Sequence, residues 1–545
     1  MAEYDYVIVG AGSAGCALAN RLTADPSVRV LLLEAGGSDR NLNVRIPVGF
    51  AKQFRTDLDW GYSSEPEPNL IGRSMYLPRG RSLGGSSSMN AMIYLRGHRS
   101  DFDGWAAGGA PGWSYAEVLP YFKRSENNER IKNEYHGQGG ELNVADPTWT
   151  STLTEPFVES AAATGIARND DFNGPEQDGA GPLQLTQKRG RRWSAADAFL
   201  HPVKKQRENL TVATKAHARK VLIENGRAVG VEYGSEKDGL QTARAGREVI
   251  VAAGAYNSPQ LLMLSGIGPA GHLREHGVDV VVDSPHVGQH LQDHCMSTVT
   301  YETEDKGTLA DATHPKHLAR YVVTRGKGKL SSNVGEAGAH PRVQDGIHAP
   351  DFQILMGPVY YFDNGFRTYP NPAFTLAASF FRPRSEGSVR LRSANPHDPP
   401  AIHLNFLGEP EEVKACVDAV RLCREIAESG PLGKLVTRNI DPGPGVLADD
   451  QIEAWLRAEL QHEYHPSCTC RMGAEGDGVL DEELRVRGVD GLRVVDASSQ
   501  PKIVGANTNA VAIMIGERAG DLILGKSPLA AARVAGPREV AGQPA

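Results

Sequence analysis

The chain has 545 residues, of which 40% are apolar and 23% charged, and its formal net charge is −8. This length is too great for one hydrophobic core, so we expect two or more domains. The acidic balance argues against a nucleic-acid binder or an anionic-membrane binder, since either needs a basic face. No apolar run approaches the ~18 residues that span a bilayer. The N-terminus lacks the features of a secretion signal, and six cysteines are too few for a disulfide framework, so we expect a cytoplasmic protein.

The N-terminal residues predict a βαβ unit. Alternating and then wholly apolar residues at 4–9 are typical of a buried strand, and the glycine cluster GAGSAG follows at 10–15. Residues 16–26 have helical apolar spacing, and 28–34 predict a second buried strand. In this context the G-x-G-x-x-G motif predicts a dinucleotide-binding site, although the motif alone leaves NAD and FAD open.

The residues of this motif have distinct predicted roles. Gly10 permits the sharp turn, Gly12 lets the backbone approach a pyrophosphate, and Gly15 lets helix and strand pack closely. The start of the helix offers free N–H groups and a partial positive charge to the phosphates. Glu34 ends the second strand and would accept hydrogen bonds from the adenosine ribose.

Further elements follow along the chain. Residues 210–233 alternate around the Asn-Gly pair at 225–226 and predict a β-meander, and 248–254 predict a buried strand. Pro259 suits the first turn of a short helix. Residues 409–429 predict an amphipathic helix. The remaining predicted elements are strands at 351–361, 374–383 and 492–498 and a helix at 509–524, buried through its first half.

The stretch QHEYHPSCTCRMG at 461–473 places two histidines ahead of two cysteines. His462, His465, Cys468 and Cys470 are zinc-ligand types, but structural zinc sites separate their His and Cys pairs more widely than this. A Cys468–Cys470 disulfide is disfavoured by its geometry. Two interpretations of His465 remain, namely a histidine that packs in the core and a histidine that moves a proton.

Four separated motifs resemble the glucose–methanol–choline (GMC) oxidoreductases. They are GRSLGGSSSMN at 80–90, GAYNSPQLLMLSGIG at 254–268, YHPSCTCRMG at 464–473, and VVDASSQP with GANTNAVAIMIGERAGD near the C-terminus. The resemblance runs from residue 5 to about 525 and is closest to the bacterial FAD-dependent alcohol and choline dehydrogenases.

The resemblance implies a fold of mixed α/β and α+β class with two domains. A discontinuous Rossmann-like FAD-binding domain would comprise 1–155, 205–298 and 475–526. A substrate-binding domain, with an antiparallel sheet flanked by helices, would comprise 156–204 and 299–474. Residues 527–545, rich in Ala, Gly and Pro, are expected to form a flexible tail.

The resemblance also implies the residues that contact FAD. The ADP half should contact Gly10, Gly12, Ser13, Ala14 and Glu34, with Ala218, Ala253 and Gly254 beside the adenine. The pyrophosphate, ribitol and flavin should contact Gly84, Gly85, Asn90, Ala91, Met92 and Ile93, together with Asp496, Ala497, Thr508 and Asn509. Further expected contacts are Gly15, Ala35, Trp60 and Tyr464.

Two departures from the family pattern have consequences. Some members attach FAD through a histidine where this chain has Met89, and a thioether cannot form that bond, so we expect non-covalent FAD. We expect no metal, because of the ligand spacing at 461–473 described above. The family often reads Asn-Pro-Asn where this chain has Thr508 between Asn507 and Asn509, and we expect Thr508 to cap the helix that follows.

The resemblance implies that an alcohol is oxidised to an aldehyde or ketone by hydride transfer to flavin N5. His465 would be the base and Asn507 would donate to the substrate oxygen. His462 is expected at the surface or behind the site, and whether His294 lines the substrate pocket is left open. Met296 stands where choline-oxidising relatives carry an acid, so choline is not an expected substrate.

Other functions on the same fold are a hydroxynitrile lyase, a light-driven fatty-acid decarboxylase and a flavin-binding protein without turnover. The glycine loop and Met89 favour a dehydrogenase over an oxidase. The expected partners are a small alcohol and an electron acceptor, which could be oxygen, a quinone or a redox protein. The particular alcohol, the acceptor and the formation of a homo-oligomer are left open.

Overall fold

The computed structural model describes residues 3–235 and 239–533. The helices in this part of the chain are α1 (Ser13–Leu22), α2 (Leu42–Arg45), α3 (Arg99–Ala107), α4 (Tyr115–Ser125), α5 (Thr154–Ala163), α6 (Gly254–Leu264), α7 (Ala270–Glu275), α8 (Pro315–Val323), α9 (Pro410–Glu428), α10 (Gly430–Gly433), α11 (Asp449–Glu459) and α12 (Asn509–Ile523). None of these helices is long and apolar enough to cross a membrane.

The strands are β1 (Glu3–Val9), β2 (Val30–Glu34), β3 (Tyr62–Ser63), β4 (Tyr76–Leu77), β5 (Glu126–Asn128), β6 (Leu142–Val144), β7 (Gly179–Pro182), β8 (Gln187–Lys188), β9 (Arg191–Arg192), β10 (Leu210–Thr214), β11 (His217–Glu224), β12 (Arg227–Ser235), β13 (Gly239–Val251), β14 (Ile267–Gly268), β15 (Val282–Asp283), β16 (Cys295–Glu302), β17 (Ala337–His340), β18 (Phe352–Gly357), β19 (Ala373–Phe380), β20 (Ser388–Arg390), β21 (Ala401–His403), β22 (Arg438–Asp441), β23 (Gln461–His462) and β24 (Leu492–Val494).

The first large sheet has the order β10-β2-β1-β13-β12-β11, and β24 also pairs with β13. The strands β10, β2, β1, β13 and β24 run parallel. All residues of β2 are buried, as expected for a parallel strand covered on both faces. The predicted βαβ unit is confirmed as β1-α1-β2, and α1 begins at Ser13, directly after the glycine turn.

The predicted β-meander at 210–233 is only partly correct. β11, β12 and β13 form an antiparallel meander, and Asn225 and Gly226 make its first turn with φ of 51° and 78°. Both values are positive, as a two-residue type I′ turn requires. β10, however, lies at the far edge of the sheet and pairs with β2 in parallel. Local alternation predicts a strand but not its partner.

The second large sheet is antiparallel and has the order β22-β16-β19-β18-β17-β7, and β23 also pairs with β16. The predicted amphipathic helix is α9, whose apolar stripe is buried in the core of this sheet. Within the described residues β16 pairs with β19, β22 and β23 of this sheet, so Cys295 is the first residue of the second sheet along the chain after β7.

The helix that contains Pro259 begins earlier than the sequence indicates. α6 starts at Gly254, so Pro259 lies inside the helix and cannot donate to the carbonyl of Ala255. Thr469 Oγ1 donates to that carbonyl instead, at 2.7 Å. A side chain from a distant segment thus satisfies the acceptor that the proline leaves free.

The C-terminal residues are described as far as residue 533. In 527–533 the backbone N–H groups of Leu529 and Ala532 donate to Tyr121 Oη at 3.2 Å and to the Ala116 carbonyl at 2.7 Å. These two bonds attach the start of the expected tail to α4. The rest of that prediction, at 534–545, lies outside the described residues.

Candidate active site

A cavity of about 330 Å³ lies between the two large sheets. On one side it meets the carboxyl ends of the parallel strands, through Gly10 after β1, Glu34 at the end of β2 and Ala252 after β13. On the other side it meets Leu355 in β18 and Thr375 in β19. Ligands of open parallel sheets bind outside the carboxyl ends of the strands, so this is the position expected for a dinucleotide.

The predicted site residues come together at this cavity. His465, Asn507 and all predicted cofactor contacts line it except Gly15 and Gly84. A Cβ atom on Gly15 would lie 2.0 Å from the Gly10 carbonyl oxygen, so Gly15 permits the predicted close packing behind the cavity. The N–H of Gly84 donates to the Ala11 carbonyl at 2.8 Å, so Gly84 attaches the glycine loop at 80–90 to the glycine motif at 10–15.

The two glycine-rich segments touch each other through Gly85 and Gly12. Gly85 has a φ of 52°, and a Cβ atom on it would lie 2.8 Å from the Gly12 Cα atom. A Cβ atom on Gly12 would meet nothing within 4 Å, so the space beside Gly12 is open toward the cavity. The backbone therefore forms a surface that a flat ligand and its phosphates can approach closely.

Two helices begin at the cavity without a side-chain cap. Gly12 precedes α1 and has no side chain that could cap it, and the side chain of Thr508, which precedes α12, accepts no bond from its helix. The prediction that Thr508 caps α12 is therefore wrong, because Thr508 has helical backbone angles (φ −79°, ψ −4°) instead of the extended angles of a capping residue. Ser13 Oγ donates to Asn509 Oδ1 at 2.7 Å and joins the two starts. Their free N–H groups can bind anionic groups.

Glu34 lies at the cavity in a buried position. Its two carboxylate oxygens accept the N–H groups of Ala11 at 2.9 Å and Gly36 at 2.8 Å. Burial raises the pKa of this carboxyl to about 7. Each oxygen retains a further lone pair, so the predicted acceptance of ribose hydroxyl groups remains open to Glu34.

His465 is held through both of its ring nitrogens. Nε2 lies 3.3 Å from the Asn507 side-chain nitrogen, and Nδ1 lies 3.0 Å from Nδ1 of His294. Burial, followed by the neighbouring His294 ring, lowers the pKa of His465 well below its ordinary value. The ring is therefore neutral at physiological pH, which is the form a base needs. We assign the proton to Nδ1, which leaves the Nε2 lone pair facing Asn507.

His294 does not line the cavity but lies behind His465. It is fully buried, and burial lowers its pKa to about 4. A neutral His294 can accept the Nδ1–H of His465 and so fix the orientation of the His465 ring. Asp293 holds the backbone of both residues, because its Oδ1 accepts the N–H of His465 at 2.7 Å and that of His294 at 2.8 Å.

The Asn507 amide is oriented from both ends. Its Oδ1 accepts from Gln353 Nε2 at 3.4 Å, and its Nδ2 lies 3.5 Å from Glu463 Oε1 as well as near His465. This arrangement directs the donor end of the amide toward His465, although the proline of the family pattern is replaced. Gln353 comes from β18, so the second sheet determines how Asn507 is presented.

Sequence reasoning missed Glu463, which lines the cavity two residues before His465. Its side chain is 6% exposed, and Oε2 lies 3.6 Å from His465 Nδ1 and 3.9 Å from His294 Nδ1. Burial raises the pKa of this carboxyl to about 8, so it is protonated at neutral pH. The available sequence signal was a glutamate between His462 and Tyr464, two residues before His465.

Tyr464 adopts the strained backbone that presents His465. Its φ is 67°, a rare value for an aromatic residue. The chain is held there because Arg79 donates to the Tyr464 carbonyl at 2.7 Å and the Tyr464 hydroxyl bonds Tyr361 at 2.6 Å. Strain of this kind persists only where surrounding contacts fix it, and it is concentrated at functional sites.

The other interpretations of the 461–473 stretch do not match the structure. His462, His465, Cys468 and Cys470 do not form a group of ligand atoms within 4.8 Å in the described part of the chain. Cys468 and Cys470 are free thiols in the core. His462 is not at the surface but 2% exposed, and its Nε2 lies 2.9 Å from the Tyr76 carbonyl oxygen.

Comparison with known proteins agrees with the resemblance to the GMC oxidoreductases. The GMC oxidoreductase family models match residues 4–296 and 383–516. The chain is 43% identical over 536 residues to an alcohol dehydrogenase (acceptor) of Pseudomonas putida, covering 97% of each chain. It is also 43% identical over 534 residues to an oxygen-dependent choline dehydrogenase of Brucella ovis, again covering 97% of each.

Solved structures show the same fold. A pyridoxine 4-oxidase from Mesorbium loti superposes with a TM-score of 0.87 at 30% identity, covering 95% of this chain and 98% of the other. A variant formate oxidase from Aspergillus oryzae superposes with a TM-score of 0.89 at 26% identity, covering 96% and 98%.

Fold and cavity thus define a flavoprotein oxidoreductase with a dinucleotide site between two sheets. The chain belongs to the GMC oxidoreductase family, whose members bind FAD and act on CH–OH groups. The residues present fit this cofactor, because both uncapped helix starts and the open space beside Gly12 face one cavity. Among the cavity-lining residues described there is no cysteine, and Met89 lines the cavity where some members carry the histidine that attaches FAD.

Substitution of Gly85 by Ala should reduce FAD retention. The new Cβ would collide with Gly12, and alanine is strained at a φ of 52°. We expect the purified variant to have a lower ratio of flavin to protein absorbance than the native protein. Gly104→Ala is the matched control, because Gly104 lies within α3 and a Cβ there meets nothing within 4 Å. Equal flavin content in G85A and the native protein would contradict the assigned contact.

Proposed function

We propose that this protein oxidises an alcohol to an aldehyde or ketone with His465 as the base and Asn507 as the donor to the substrate oxygen. The observation that supports this proposal is the separation of 3.3 Å between Asn507 Nδ2 and His465 Nε2 at the cavity wall. One hydroxyl group placed beside this pair can give its proton to the imidazole while its oxygen accepts from the amide.

FAD, when bound in this cavity, would supply the oxidant for the hydride that leaves the alcohol carbon. The chain's own task is the removal of the hydroxyl proton. An alcohol has a pKa of about 16 and an imidazolium about 6.5, so unassisted transfer is uphill by roughly 13 kcal/mol. Burial makes His465 a still weaker base. The donor from Asn507 therefore has to stabilise the negative charge that develops on the oxygen.

Glu463 can assist this transfer when it is ionised. A carboxylate 3.6 Å from His465 Nδ1 would stabilise the imidazolium that forms when Nε2 takes the proton. At neutral pH the carboxyl is protonated, and this contribution is absent. The proposed base is therefore coupled to a second titrating group in the same cavity.

The side chains that line the cavity favour an uncharged alcohol. Phe50, Phe54, Tyr361 and Tyr464 line it together with Met296, which occupies the position of the acid expected in choline-oxidising relatives. The protonated Glu463 offers no negative charge to a cationic substrate at neutral pH. The choline dehydrogenases that resemble this chain are thus a weaker guide to its substrate than the alcohol dehydrogenase.

We predict that the electron acceptor is oxygen, a quinone or a redox protein. A hydroxynitrile lyase or a light-driven decarboxylase would use the same fold. Among the relatives and structures compared above, the names are those of dehydrogenases and oxidases, so oxidation is the function we retain.

Substitution of His465 by Ala should slow the bleaching of the flavin absorbance by an alcohol under anaerobic conditions. Loss of a positioned base costs about 10²- to 10⁴-fold in rate. Stopped-flow absorbance measures this rate, and the flavin content of the variant should stay at the native value. His348→Ala, at an exposed histidine, is the control and should bleach at the native rate. If H465A bleaches as fast as the native enzyme, His465 is not the base.

The pH profile of kcat/KM should rise as the pH passes about 8, where Glu463 ionises. Burial raises the pKa of this acid, so the carboxylate that stabilises the His465 imidazolium forms only above that pH. Steady-state rates between pH 6 and about 10 give the profile. In Glu463→Gln the group cannot ionise, and this rise should disappear. A rise of the same size in E463Q would exclude Glu463 as its origin.

A further inference from the structure

Helix α8 (Pro315–Val323) exposes its apolar side to solvent. Its apolar residues Pro315, Leu318, Ala319, Val322 and Val323 are spaced i, i+3, i+4, i+7 and i+8, which places them on one face. All five are exposed, with Leu318 at 48%, Val322 at 65% and Val323 at 81%. A surface helix normally buries such a face, so this apolar stripe requires a partner that the described chain does not supply.

The side of α8 that does not carry the apolar stripe packs against the rest of the protein. Tyr321 is 6% exposed, and its hydroxyl donates to the Gly190 carbonyl at 2.9 Å. Gly190 lies in the turn between β8 and β9 and is in backbone contact with Gly326, because a Cβ atom on it would lie 1.8 Å from the Gly326 carbonyl oxygen. The orientation of the helix is therefore fixed by packing, and the exposed stripe is not the result of a loosely attached segment.

Cations surround this point of contact. Arg189 and Arg191 flank Gly190, Arg325 and Lys327 flank Gly326, and all four are exposed. Arg320, also exposed, lies on α8 itself. Among the described residues none of these five side chains forms an ion pair. Asp311, the acid nearest in sequence to α8, already pairs with Lys316, His317 and Lys329.

We propose that α8 and the adjoining basic turns form a docking surface for an anionic lipid bilayer. A helix with a solvent-facing aliphatic stripe and cations beside it is the pattern of an interfacial helix, which lies in the membrane plane with its apolar face among the acyl chains. Cations near such a surface each add to the attraction for anionic lipids. The net charge of −8 conceals this surface, because it sums acids distributed over the rest of the chain.

A second copy of the chain is a less suitable occupant of the same surface. A two-fold contact would bring the same patch of both copies together. The five cations of one copy, none of which forms an ion pair among the described residues, would then face the five of the other, and like charges in contact oppose association. No groove is needed for a bilayer, and α8 presents a convex stripe rather than a groove.

Flotation of the holoenzyme with lipid vesicles tests this proposal. We expect the protein to float at low salt with vesicles of phosphatidylcholine and phosphatidylglycerol in equal parts, and to remain in solution with phosphatidylcholine alone. Neutralisation of two cations in Arg325→Gln/Lys327→Gln should lower the partition coefficient about 30-fold. The pair Val322→Asp/Val323→Asp should abolish flotation, because it places two charges in the apolar stripe.

The control is Leu447→Asp, which alters an exposed leucine (61%) outside α8 and should float like the native protein. All variants should retain native flavin content and native activity on a water-soluble alcohol, which shows that they fold. The proposal is overturned if the native protein does not float with the anionic vesicles, if both vesicle types bind equally, or if V322D/V323D floats unchanged. A dimer in light scattering that V322D/V323D dissociates, without vesicle binding, would instead assign the stripe to a second copy.

Discussion

The burial of His465 is the constraint on which the rest of the site depends. A neutral imidazole in a desolvated position is a weak base, since burial and the adjoining His294 ring hold its pKa well below the ordinary value. The contacts that hold and orient this imidazole are therefore necessary for it to take up a proton. Asp293 fixes the backbone of the two histidines, His294 orients the ring through Nδ1, and Asn507 offers a donor on the Nε2 side.

These contacts come from segments that are far apart in the chain, and the two sheets bring them together. Asp293 and His294 lie just before β16, Gln353 lies in β18, and Asn507 lies just before α12. The cofactor side is assembled in the same way, because Gly85 and Gly12 touch and both uncapped helix starts meet one cavity. A site built from separate segments in this way needs both sheets in place before any part of it has the required geometry.

The sequence predicted the parts of this arrangement that have strong local signals. The βαβ unit and the glycine motif are local patterns, and the resemblance carried the distant residues His465 and Asn507. It did not predict that β10 would pair with β2, that Thr469 would satisfy the carbonyl freed by Pro259, or that Glu463 would be buried beside His294. Each of these depends on which distant segments become neighbours, which alternation and spacing do not encode. The net charge likewise gave no sign of the local basic surface beside α8, because a total over 545 residues does not show where the charges lie.

The central claim is that an alcohol bound beside His465 and Asn507 gives up a hydride and a proton in the cavity between the sheets. Anaerobic titration of the holoenzyme with a panel of alcohols, with the carbonyl product quantified, tests it most directly. The account predicts loss of the flavin absorbance with one carbonyl molecule formed for each FAD reduced. Unchanged absorbance with every alcohol, together with cyanide release from mandelonitrile, would contradict it.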